Sequence, residues 1–252
     1  MTNQVPNNFN PARAEILPVF SIPFLRGQLD LDTEIIAEDI RNLVAKVRER
    51  CPTDNARNYT TYFDEDVRLE MYEKEWFIEL SEKLKDTYIN FIAGAFETDV
   101  SYLKRSDIHF FAWASVYQGQ HQHEIHNHVN SYMSGTYYVK TGDNTAPIKF
   151  YSPNYLTNFS HGSREHPIER EGFHRILFQG TQGVDSEMNV YPLDDEFLLW
   201  PSYILHAVPP VYETDKTDNY ERISLSFNLK HRLEIDNTQT VNDLSYGFMK
   251  NE

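Results

Sequence analysis

The stretch QHQHEIHNHVNSYMSGTYYVK, Gln120–Lys140, holds four of the chain's ten histidines within eight positions, His121, His123, His126 and His128, then turns into a run of strand character. Side chains two apart on an extended backbone share a face. His126 and His128 can therefore converge on one metal ion, as can His121 and His123. Taken by itself the segment describes a solvated, histidine-rich loop equally well.

Strand character continues on both sides of this stretch. Short runs rich in Phe, Tyr, Val, Trp and Ile, separated by turn residues, predict strands over 109–118, 132–140, 147–151, 187–192, 196–200, 203–208 and 221–229. Upstream, Pro18, Pro23 and Gly27 break up the apolar residues of 16–31, which suits extended chain better than helix. Asp32 or Thr33 can then cap a helix carrying Ile36, Ile40, Leu43 and Val47 on one face, and a second helix is expected from about Glu70 to Phe96. The fold class expected is mainly β with α-helical support, an antiparallel sandwich or barrel braced by helices. One domain over 1–252 is expected, with the helical support in about 15–100 and the β core in about 105–230. The irregular stretch 152–186, with Arg164, Arg170, His174 and Arg175, is either a lid or a surface loop.

Composition narrows the classes further. Of 252 residues, 38 are acidic and 23 basic, a net charge of −15, while 16 Phe, 16 Tyr and 40% apolar residues support a packed core and exclude a disordered chain. Such negative charge repels phosphate backbones, and the basic residues are scattered, so nucleic acid is a poor partner. No apolar run approaches the ~20 residues of a membrane span. The N-terminal residues lack the pattern of a leader and Cys51 is the only cysteine, so a cytoplasmic protein without an internal disulfide is expected.

Two later segments add to the histidine stretch. His206 lies in the apolar strand WPSYILHAVPP, Trp200–Pro210, and in a small barrel it can meet an HxH pair at the mouth; a lone histidine in such a setting is otherwise a core residue. In RISLSFN, Arg222–Asn228, Arg222, Ser224 and Ser226 alternate with Ile223, Leu225 and Phe227. An inward guanidinium calls for an anion and suits a carboxylate, with a hydroxyl two residues along as a second donor. A structural ion pair is the alternative.

Taken together, FAWASVYQG (111–119), HNHVNSYMSGTYYV (126–139) with IKFYSP (148–153), and FLLWPSYILH (197–206) with RISLSFN (222–228) resemble the small 2-oxoglutarate- and Fe(II)-dependent oxygenases. The likeness covers about half of the chain. It implies a double-stranded β-helix (jelly-roll, cupin-like) core, with His126 and His206 as iron ligands and Arg222 on the distal carboxylate of 2-oxoglutarate. Where the superfamily carries an acid two residues after the first histidine, this chain has His128, which is taken as the third ligand. Three neutral imidazoles leave the ion its full charge, which favours a dianionic co-substrate. If His128 instead turned away, a halide or second water could bind. Ser224 and one of Tyr137 and Tyr138, with Tyr138 chosen, complete the expected co-substrate contacts, and Asn130, Ser131 and Ser134 could orient ligands. The implied reaction consumes O2, releases succinate and CO2, and hydroxylates an unidentified small molecule or protein side chain. A cupin-type dioxygenase without 2-oxoglutarate and a non-catalytic β-sandwich binding module remain the alternatives.

Overall fold

A computed structural model describes residues 22–50, 59–96, 99–101, 103–118, 121–142, 145–151, 187–210 and 221–231. The expected lid over 152–186, Cys51 and the segment 232–252 lie outside the described residues. Within them the chain runs β1 (Leu25–Gln28), α1 (Thr33–Arg50), β2 (Tyr59–Thr60), α2 (Glu65–Tyr72), α3 (Glu75–Phe96), a 3-10 turn at Arg105–Asp107, and then β3 (Ile108–Gln118), β4 (His123–His126), β5 (Met133–Lys140), β6 (Ile148–Tyr151), β7 (Glu187–Val190), β8 (Glu196–Pro201), β9 (His206–Val208) and β10 (Glu221–His231).

From β3 onward the chain passes back and forth between two antiparallel sheets, except that β6 and β7 are consecutive neighbours in one of them. The larger is ordered β1-β8-β5-β10-β3-β2 and the smaller β4-β9-β6-β7. Without the edge strands β1 and β2, each sheet has four strands, the arrangement of a double-stranded β-helix or jelly roll. Strand β10 is the spine of the larger sheet, paired along its length with β3 and over Ile223–Leu229 with β5. Its alternation divides the molecule: Ile223, Leu225, Phe227 and Leu229, all fully buried, join the core beneath the helices, while Arg222, Ser224, Ser226 and Asn228 face the smaller sheet.

The helices cover the far side of the larger sheet. Asp32 accepts the Ile35 N–H at 3.2 Å and so begins α1, which buries Ile36, Ala37, Ile40, Leu43 and Val44. The second helical region is two helices. Asp64 caps α2 through the Val67 N–H, and the chain turns at Glu73 before α3 begins. That turn lets Met71 and Leu80, both completely buried, reach one core. Tyr72 stacks on Phe77 across it and donates its hydroxyl to the Ala112 carbonyl of β3. Between β5 and its neighbours the approach is very close at Gly135, where an added Cβ would stand 2.2 Å from a Phe227 ring carbon and 2.5 Å from the Leu198 carbonyl oxygen.

Candidate metal centre

The antiparallel pairing of β4 with β9 sets His126 directly opposite His206. Because β4 ends where β9 begins, both imidazoles sit at the same end of the smaller sheet. His128 follows β4, its backbone N–H held by the Ser202 carbonyl at 3.0 Å. The potential ligand atoms of His126, His128 and His206 lie within 4.8 Å of one another. An ion with nitrogen ligands at ~2.1 Å closes this triangle with side-chain movements of roughly an ångström or less.

Each imidazole is anchored through Nδ1. His126 faces the Glu124 carbonyl at 2.7 Å, His206 the Ile204 carbonyl at 3.0 Å, and His128 the Asn228 side-chain oxygen at 2.6 Å. Carbonyl oxygens only accept, so Nδ1 carries the proton in all three and Nε2 keeps its lone pair for a metal. The third anchor is braced in turn: Ser134 also donates to Asn228 Oδ1 at 2.8 Å and bonds the Ser202 hydroxyl at 2.7 Å. Protonation is suppressed throughout. Burial lowers the pKa of His126, carries His128 down to about 4, and with the other two imidazoles holds His206 well below the ordinary value. All three are neutral at pH 7, as metal ligands must be.

The other pair in the histidine stretch is divided. His121 accepts the Gln118 N–H at 3.1 Å and packs edge-on against Tyr59. His123 stacks on His126 with ring centroids 3.9 Å apart, and its Nδ1 lies 3.5 Å from the Tyr117 hydroxyl.

Arg222 is 1% exposed and projects between the sheets. One guanidinium nitrogen, Nη1, donates to the Ala146 carbonyl at 2.9 Å, and the group lies 4.9 Å from the Tyr138 ring centre and 5.3 Å from that of Tyr117. No carboxylate among the described residues pairs with it, and its Nε and the Tyr138 hydroxyl are buried without a partner there. Burial pushes the Tyr138 phenol up to about 12, with the Arg222 charge acting the other way. A buried cation beside two unused donors is a poor structural ion pair and fits an incoming anionic ligand. Ser224 is buried on the same face, opposite Tyr138 on one side and Ser115 on the other. Tyr137 points the opposite way into the helix-side core, its hydroxyl on Asp195 at 2.8 Å.

Asn228 and Trp200 escaped the sequence reading. Asn228 was legible as the next inward position after Arg222, Ser224 and Ser226. Trp200 gave no such signal, since it sits in an apolar run. Of the polar residues after the histidines, Ser134 is in the Asn228 network, Asn130 takes a positive φ of 61° in the turn, and the Ser131 hydroxyl is buried without a partner among the described residues.

No curated protein matches the chain by sequence. Among solved structures, the chain is similar to EvdO2 from Micromonospora carbonacea var. aurantiaca complexed with 2-oxoglutarate, at 11% identity over 87% of this chain and 91% of that one, TM-score 0.49. It is also similar to a Pseudomonas putida prolyl-4-hydroxylase, at 13% identity over 84% and 95%, TM-score 0.46. The family described as "Putative 2OG-Fe(II) oxygenase" matches residues 111–228. That match, over a little less than half of the chain, runs from β3 to β10 and takes in His126, His128, His206 and Arg222, so the chain is similar to the 2OG-Fe(II) oxygenases over the strands that carry the three-histidine centre.

Proposed function

We propose that His126, His128 and His206 hold Fe(II), that Arg222, Tyr138 and Ser224 receive the distal carboxylate of 2-oxoglutarate, and that the enzyme hydroxylates a substrate C–H bond. The observation that carries this is Arg222: a fully buried cation, unpaired with any carboxylate among the described residues, on the same face of β10 as Asn228, which anchors one histidine of the three-imidazole cluster. Neutral ligands leave a divalent ion uncompensated, and the guanidinium adds a further positive charge. A dianionic keto acid sets one carboxylate against the ion and the other against the guanidinium, offsetting charge at both ends.

When bound, the pair supplies the oxidative chemistry: 2-oxoglutarate, O2 and R–H give succinate, CO2 and R–OH. The protein's own residues position and exclude. The Nδ1 anchors fix the three rings, Asn228 holds His128 from across the sheets, and Phe150 and Trp200 pack against His206 with centroids at 6.0 and 5.0 Å, keeping that side dry. None of these groups is asked to act as a general acid or base.

The substrate we assign is a small molecule or a protein side chain, not nucleic acid, given the net charge of −15. No helix among the described residues is long and apolar enough to cross a membrane. A reducing cytoplasm suits a ferrous centre and is the location we propose. Anaerobic titration with Fe(II) and then 2-oxoglutarate tests the reading: bidentate chelation is expected to give a visible metal-to-ligand charge-transfer band. A protein that binds iron but develops no such band is a different metalloprotein, and one that binds neither is a β-sandwich module.

A further inference from the structure

Three buried donor atoms between the sheets have no acceptor among the described residues: Arg222 Nε, the Tyr138 hydroxyl and Trp200 Nε1. The first two belong to the co-substrate site proposed above. Trp200 is unexplained by it. The residue is completely buried in a cluster with Tyr138, Ile148, Phe150, Leu198 and Ile204, and apart from the Tyr138 hydroxyl its indole N–H is the only side-chain polar atom in that group. The ring stands edge-on to His206 and to Phe150, each at 5.0 Å between centroids. Trp76, by contrast, gives its N–H to Asp39 at 2.8 Å.

A buried N–H without an acceptor is unfavourable, and phenylalanine could offer these neighbours an apolar ring without that cost. The indole is therefore explained by an acceptor that arrives with a ligand. A keto diacid held at one end by the histidine centre and at the other by Arg222 must pass along the wall that Trp200 shares with Tyr138 and His206. Its metal-end carboxylate comes nearest the ring that packs on His206.

We propose that the Trp200 indole N–H donates a hydrogen bond to the metal-end carboxylate of the bound 2-oxo acid. This rests on the function proposed above and adds a second point of recognition to Arg222. Arg222 selects the length and far charge of the co-substrate, whereas Trp200 recognises what every 2-oxo acid has in common.

Two variants remove the donor: Trp200→Phe, and a protein with β-(3-benzothienyl)alanine at position 200, which keeps the bicyclic shape and replaces N–H by sulfur. Each is titrated anaerobically, as the Fe(II) form, with 2-oxoglutarate and with 2-oxobutyrate, which lacks the distal carboxylate. The charge-transfer band reports binding, and iron affinity is measured separately. Loss of a hydrogen bond to a carboxylate is expected to weaken both acids by about tenfold or more, shift the band and leave iron binding intact. Unchanged affinity for both acids in the benzothienyl variant overturns the proposal, as does weakening confined to 2-oxoglutarate, which would put the contact at the far end. A wild-type protein without the band removes the functional reading and this contact with it, whereas a wild-type band beside unaltered variants removes the Trp200 contact alone.

Discussion

His128 Nδ1 lies 2.6 Å from Asn228 Oδ1, a bond that spans 100 residues of chain and the gap between the two sheets. The other two imidazoles are fixed by carbonyls two residues before them. His128 alone takes its orientation from a distant side chain.

Asn228→Ala removes that anchor and leaves the ring free to turn. Metal affinity is expected to fall about 10- to 100-fold, the usual cost of losing such a partner. Asn228→Asp keeps an acceptor at the same place and should retain most of the affinity. Calorimetric titration with Mn(II) or Co(II) checks both, and equal losses in the two variants would show that Asn228 acts through packing.

Arg222→Ala should weaken 2-oxoglutarate on the order of 100-fold while leaving iron affinity unchanged, since it removes one side of a buried charged contact. Arg222→Lys keeps the charge but not the fork, and an intermediate loss is expected. Separate titrations of metal and co-substrate provide the comparison. Loss of iron binding in either variant would contradict the assignment of Arg222 to the far carboxylate.

The metal-free protein should lose stability as pH falls from about 6.5 towards 4. In that window unfolded histidines take up protons while the folded His126, His128 and His206 resist, because burial lowers the pKa of each. The unfolded state then binds more protons, so the slope of stability against pH is positive. His128 alone, lowered to about 4, accounts for on the order of 3 kcal/mol across the window. Urea melts in the presence of chelator are expected to show the decline, and His128→Gln should flatten part of it.

Gly135→Ala places a methyl group against the Phe227 ring and the Leu198 carbonyl, and backbone cannot yield cheaply there. A loss of about 1–3 kcal/mol is expected from overpacking, read as a lowered denaturation midpoint. Gly135→Ala with Phe227→Leu should recover part of it.

Much of this arrangement was legible in local pattern. Period-two alternation from Arg222 to Asn228 marked the two faces of β10, and the strand expected over 203–208 overlaps β9, whose pairing starts only at His206. Boundaries were less so. The helix expected from Glu70 to Phe96 is interrupted at Glu73–Lys74, because a capped start at Asp64 and the stacking of Tyr72 on Phe77 favour two helices over one. The strand β4 was missed, since its His and Glu residues carry little strand propensity and its formation depends on pairing with β9. Of the four clustered histidines, spacing allowed two pairs; the pairing of His126 with His206 separates them, and no local pattern encodes that contact. Trp200 was hidden for a related reason. An indole in an apolar strand reads as core, and only the surroundings of its nitrogen set it apart.

The carbonyls that hold His126 and His206 come from Glu124 and Ile204, each two residues earlier on the same stretch of chain. Once β4 and β9 pair, two imidazoles have their Nδ1 partners within their own stretches of chain, while the third waits for β10 to arrive from the opposite layer. Full-strength capture of an ion thus reports completed closure of the sandwich, and a chain arrested before that point would present only a two-toothed chelate.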